Sequence, residues 1–206
     1  MRRTIAILLG AGLLAAPGHE AAAQQKAPTR DHAVTYRMQH EGRTAQMTVS
    51  FSASLRRQRV EMAEAGVAMI HDLPGRRMLM LNEQLRIAME LPVTAQQGQQ
   101  MLSIPDDMTL ARTGSATIAG HACTTYRATQ RGAERGTVCL TEDGIMLRAD
   151  LAQGERRGTM EATTLSLSPQ PAALFEVPEG WQTMQMPSAP PGATPGAPPG
   201  GQRPPR

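Results

Sequence analysis

Aromatic residues make up only 2% of this 206-residue chain, and cysteine occurs twice. Each scarcity removes a class of function. Without aromatic side chains to stack on bases, and without a dense basic run, nucleic-acid binding has no platform. The formal net charge is only +3, and arginine outnumbers lysine twenty to one, so the chain carries no strong positive field. No C-x-x-C offers a redox pair, and no H-E-x-x-H, Gly-rich phosphate loop or nucleophile motif is present. His32, His40, His71 and His121 stand at no ligand spacing to one another. Glu61 with Glu64, and Asp106 with Asp107, fall in turns or on polar faces, where solvation accounts for them. These absences describe a non-enzymatic protein with no cofactor.

The two ends are unlike the middle. Arg2 and Arg3 precede an uncharged apolar stretch from Ile5 to Ala16, Pro17-Gly18 break it, and Ala21-Ala22-Ala23 give a small-x-small site. That is the three-part pattern of a cleavable signal peptide over residues 1–23, with cleavage after Ala23 and export to the periplasm. An apolar run of about 12 residues is too short to cross a bilayer, which takes about 20, so the chain is not expected to span a membrane. Loss of Arg2, Arg3 and Glu20 lowers the formal charge to +2. Residues 24–30 read as a flexible mature N-terminus. Residues 187–206, almost all Pro, Gly, Ala and polar, have nothing to bury and read as a disordered tail. Between them, 31–183 has the size of a single domain.

That middle alternates with period two between Gly turns, the signature of half-buried strands. Val34, Tyr36 and Met38 alternate with polar residues, as do Ala45, Met47, Val49 and Phe51. A tight turn at Glu41-Gly42 sets Met38 against Ala45, Tyr36 against Met47 and Val34 against Val49, so apolar meets apolar on one face. Val60 and Met62 begin a third strand and Val67 to Ile70 form a fourth. A type II turn at Pro74-Gly75 follows, and strands 77–81 and 85–91 continue the meander. Four more are expected at 122–130, 137–142, 145–153 and 159–167, with Glu142-Asp143-Gly144 setting Leu140 against Leu147 and Val138 against Ala149. Helix is expected only at 94–102 and, as a short turn, at 171–175. Fourteen methionines beside so few aromatics point to a core filled by Met, Leu, Ile and Val in place of Phe and Tyr.

In an oxidising compartment the lone pair Cys123 and Cys139 is expected to form a disulfide staple. Placing the two opposite each other makes Thr125 face Thr137 and Arg127 face Arg135, around a Gln130-Arg131-Gly132 loop. The Arg–Arg pair admits a slipped register or a longer loop instead.

The run Gly114-Ser115-Ala116-Thr117-Ile118-Ala119-Gly120-His121-Ala122-Cys123-Thr124-Thr125-Tyr126 resembles the G-x-x-x-I-x-G-x-x-C-x-x-Y signature of an exported family of unknown function, domain-of-unknown-function family 4412. Cys139-Leu140-Thr141 with Asp143-Gly144-Ile145, and Leu174 through Trp181, fit the same family. The family is similar to the periplasmic lipoprotein carriers of the Lol system. The resemblance implies a mainly β (α+β) fold, an antiparallel half-open β-barrel of about 10–11 strands with one or two short helices around an apolar concave face.

On that fold, Tyr36, Met38, Met47, Val49, Met80, Met89, Val138, Leu140 and Leu147 are the expected apolar ligand face. The partner is then a lipid or other apolar small molecule, with no protein partner identified. The alternatives are an envelope interaction module with no cavity, and a copper binder using Met184 and Met186, whose thioethers suit Cu(I).

Overall fold

The protein is described by a computed structural model over residues 27–94, 96–98, 103–153 and 156–185. The expected signal peptide, the tail at 187–206 and Met186 lie outside the described residues. Twelve strands form: β1 (His32–His40), β2 (Arg43–Ser52), β3 (Arg57–Met62), β4 (Val67–Asp72), β5 (Arg77–Asn82), β6 (Ile87–Pro92), β7 (Met108–Ile118), β8 (His121–Gln130), β9 (Ala133–Leu140), β10 (Met146–Gln153), β11 (Arg156–Ser166) and β12 (Gln182–Gln185). They make one sheet in the order β12-β6-β5-β4-β3-β2-β1-β11-β10-β9-β8-β7, whose end strands do not pair with each other. The architecture is thus the half-open barrel expected, built from two antiparallel meanders stitched together by β1 and β11. Among the described residues no helix is long and apolar enough to cross a membrane.

The strands arise where apolar and polar residues alternate, and the turns arise from two local devices. Hairpins β1–β2, β7–β8 and β8–β9 close on two-residue loops whose first member has a φ near +50° and whose second is glycine, the type I′ geometry that matches strand twist. The β2–β3, β4–β5 and β5–β6 loops are different. Each starts with an oxygen-bearing side chain that accepts the N–H three residues on: Ser52 from Leu55, Asp72 from Gly75 and Asn82 from Leu85. Each ends on a left-handed arginine, Arg56, Arg76 or Arg86. The type II turn expected at Pro74-Gly75 is therefore not formed. The Asp72 carboxylate caps the loop, and the positive φ falls on Arg76.

The β1–β2 register is as read from the sequence: Met38 pairs with Ala45, Tyr36 with Met47 and Val34 with Val49. Three other details differ. Strand β3 ends, rather than begins, with Val60 and Met62. A bulge at Leu147 leaves Leu140 opposite Met146, while Val138 still meets Ala149. In β8–β9, Thr125 pairs with Cys139 and Arg127 with Thr137. The hairpin is slipped by two residues, a bulge absorbs Arg135, and the Arg–Arg clash disappears. The disulfide Cys123–Cys139 forms diagonally across this ladder, with Cα atoms 5.5 Å apart. Residues 96–98 are helical behind a reciprocal cap, in which the Gln97 N–H donates to Thr94 Oγ1 and the Thr94 N–H to Gln97 Oε1. The second short element is a 3-10 turn, Ala172–Phe175.

The core does not have the composition expected of it. Tyr36, Phe51 and Phe175 are buried, along with Val, Ile, Leu and Ala residues and the disulfide, and no described methionine is in the buried set. Phe175 seals one face of the first meander against Ala68, Ile70, Leu79, Leu81 and Ala88, with Leu174, Val177 and Trp181 packed around it. A few large rings placed by one C-terminal segment cover the sheet where many thin side chains would be needed.

Two substitutions test this account. Gly136 sits at φ +128° where a Cβ would overlap the Asp150 carbonyl oxygen, so Gly136→Ala is expected to cost about 3 kcal/mol in urea unfolding. Asp72 is buried between Arg57 at 3.1 Å and Arg77 at 3.2 Å. Burial pushes its carboxyl up, but the Gly75 N–H and the two guanidiniums outweigh this and hold it below the ordinary range. Its contribution is therefore present above the unfolded carboxyl's value of about 3.9 and is lost as pH falls through the lower folded value. Asp72→Asn is expected to lose about 3 kcal/mol at pH 7 and to show a flatter stability profile than wild type below about pH 4.

Candidate functional site

Following residue pairs across the sheet assigns every strand residue to a face. The row Val34–Val49–Val60–Met69–Met80–Met89–Met184 runs unbroken from β1 to β12. A second row, Met38–Met160–Ala149–Val138–Tyr126, runs from β1 to β8 on the same face. Met47, Met62, Met78, Met108 and Met146 join that face by alternation or direct pairing. All the described strand methionines thus lie on one side of the sheet, opposite the side sealed by Phe175.

That side is concave. Val60 on β3 and Val138 on β9 are five strand steps apart, about 24 Å along a flat sheet, yet both line a single cleft of about 360 Å³. Its lining includes Tyr36, Met47, Val49, Val60, Val138 and Leu140, together with Ile145, Met146, Met160 and Ile104-Pro105. Besides the Tyr36 hydroxyl, only His32, Gln58 and Ser103 contribute polar side chains. His32 is buried, holds the Arg30 carbonyl at 2.9 Å and lies 5.5 Å from the Phe51 ring. Burial pushes its imidazole below the ordinary value, so it is neutral at pH 7. The Tyr36 hydroxyl donates to the Met146 carbonyl at 2.6 Å, tying β1 to the start of β10 across the cleft floor. Burial raises that phenol. The site offers oriented apolar surface, one neutral imidazole and no charged side chain.

Of the residues expected on the ligand face, Tyr36, Met47, Val49, Val138 and Leu140 meet in this cleft. Met80 and Met89 share its face but lie further out, on β5 and β6. Met38 lines a separate shallow hollow with Leu151 and Met160. Leu147 does not line the cleft: the bulge turns it into the buried cluster that holds Cys123 and Cys139. Met184 stands exposed on edge strand β12, opposite Met89. Sequence reasoning missed Val60 and Met160, although both follow from chaining strand pairs outward from β1. It also missed Ile104-Pro105, in a connection with no periodicity to read. Among the described residues no three His, Cys, Asp or Glu side chains gather to hold a metal.

The family model described as "Domain of unknown function (DUF4412)" matches residues 33–158. No curated protein matches the chain in sequence. Among solved structures it is similar to an uncharacterized conserved protein from Thermus thermophilus, at 12% identity and a TM-score of 0.56, over 77% of this chain and 91% of that one. It is also similar to the MucA/MucB complex structure from Pseudomonas aeruginosa, at 14% identity and a TM-score of 0.50, over 79% of this chain but only 62% of that one. A LolA superfamily protein from Nitrosomonas europaea aligns at 11% identity and a TM-score of 0.35, over 73% of this chain and 92% of that one. What the first two share with this chain is the fold.

The tie across the cleft floor is testable. Tyr36→Phe leaves the Met146 carbonyl without its donor and is expected to lower stability by about 1 kcal/mol, as a shifted urea midpoint with an unchanged slope.

Proposed function

The chain belongs to the DUF4412 family, and on that footing we propose that it is an exported, non-enzymatic binding protein that holds a lipid acyl chain or similar apolar ligand in the concave cleft. Export rests on the signal pattern of residues 1–23. The observation that carries the ligand reading is the placement of the methionines: every described strand methionine lies on the open side, among Tyr36 and the valines of the cleft wall, and none on the side that Phe175 seals. Such a wall conforms to aliphatic chains of varied shape, and about 360 Å³ falls within the range of small-ligand sites. With about 0.8 kcal/mol per buried methylene, eight methylenes contribute about 6 kcal/mol before ordering costs. The near absence of polar groups leaves the headgroup in water and makes chain length the main determinant of affinity.

A fluorescent fatty acid titrated into the mature protein tests this reading. Val60→Arg places a guanidinium in the cleft wall and is expected to weaken uptake by at least about tenfold. Leu85→Arg, on an exposed hairpin tip, is expected to leave it unchanged. Equal uptake by the Val60 variant, or none by wild type, contradicts the proposal and favours an envelope interaction module that holds no ligand.

A further inference from the structure

The outer part of the methionine face carries a second arrangement that an acyl cleft does not require. On β4, β5 and β6, Met69, Met80 and Met89 stand directly opposite one another, and Met184 extends the row on edge strand β12. Two residues along, His71 pairs with Met78. Residues directly opposite on neighbouring strands have Cβ atoms about 4.5–5.5 Å apart, and the three rotatable bonds of methionine let adjacent thioethers lean together. All of Met69, His71, Met78, Met80 and Met89 are half-buried, and Met184 is exposed at the open edge. The donors are therefore reachable without unfolding.

We propose that Met69, Met80 and Met89, with the imidazole of His71 beside them, form a soft-metal site for Cu(I) on the outer concave face. Two further observations support that chemistry over a packing role alone. First, the β3–β6 part of this face, from Gln58 and Val60 through Leu91, bears no Asp, Glu, Lys or Arg. A hard divalent ion finds no carboxylate there, whereas a monovalent soft ion is matched by neutral thioether and imidazole ligands. Second, His71 Nδ1 lies 3.2 Å from Gln58 Oε1. That contact, with Nδ1–H as donor, fixes the tautomer and leaves Nε2 with its lone pair, as outer-sphere partners do for metal-binding histidines. Gln58 is then a positioning residue. Met184, 47% exposed and next in the row, is placed to pass an ion inward from the strand edge.

The test is competition for Cu(I) between the full mature chain and the chromophoric chelator bicinchoninate, under reducing, oxygen-free conditions. Wild type is expected to withdraw one Cu(I) per chain. Met80→Leu, which preserves apolar volume, is expected to weaken retention by at least about tenfold, and Gln58→Leu is expected to weaken it less. Met38→Leu, a thioether on the same face but on β1, is expected to leave retention unchanged. X-ray absorption of the wild-type complex keeps the test independent of whether a variant folds: it should show sulfur neighbours with one nitrogen. Retention unaffected by Met80→Leu, an equal loss in Met38→Leu, or a copper shell of oxygen and nitrogen alone overturns the site. Fatty-acid uptake by the inner cleft is read separately and is decided by neither outcome.

Discussion

Strand β1 pairs with β11 across a long stretch of chain, from Ala33 opposite Ser166 to His40 opposite Gly158, and the Thr163 hydroxyl donates to the Thr35 carbonyl 128 positions away. The molecule depends on this ladder. It joins two meanders that each pair only with themselves, and it carries the sheet's twist from β12 to β7. The concave cleft draws walls from both meanders, so it exists only while β1 and β11 hold. The tie from Tyr36 to Met146 and the bulge between Thr35 and Tyr36 sit at the same seam.

A single curled sheet has two faces to satisfy, and the described strand methionines all fall on one of them. The aromatic Phe175 and its neighbours Leu174, Val177 and Trp181 come from one C-terminal segment and close the face of β4–β6 with little chain. The disulfide fastens the β8 end to β9, and Ile118 and Ala119 at the tip of the β7–β8 hairpin pack against the cluster it belongs to. The remaining face keeps its strand methionines half-buried, apart from the exposed Met184 at the edge. Flexible side chains suit a surface that changes its covering, and they specify a fixed core poorly. The same property suits both proposals, an inner cleft that takes aliphatic chains and an outer row of thioether donors.

Local signals made much of this legible. Alternation gave the β1–β2 ladder to the residue, because a slip of one position would have moved Val34, Tyr36 and Met38 to the wrong face. The cysteine pair was readable from its number and from the compartment that the signal pattern implies. Strand β7 was not, since Thr113 to Thr117 is an exposed edge of Thr, Gly, Ser and Ala, and Leu110 alone interrupts the exposed run before it. Strand β12 is four exposed residues held by parallel pairing to β6, 95 positions earlier in the chain (Gln182 with Ile87), and no local pattern marks it. The bulges at Leu147 and Arg135 reversed which residue lay opposite which, and nothing in local composition marks a bulge. The excess of methionine was noticed, but its placement on one face required the chain of strand pairs from β1 outward.

The claim that matters most is that the concave face is occupied by an apolar chain in the cell. Native mass spectrometry of protein isolated from its own cell envelope, without organic extraction, measures this directly. The account predicts a population heavier than the bare polypeptide, whose excess mass is lost on mild activation as a discrete lipid or fatty acid. Repeated recovery of the bare mass alone, from preparations in which the fold is intact, would contradict it.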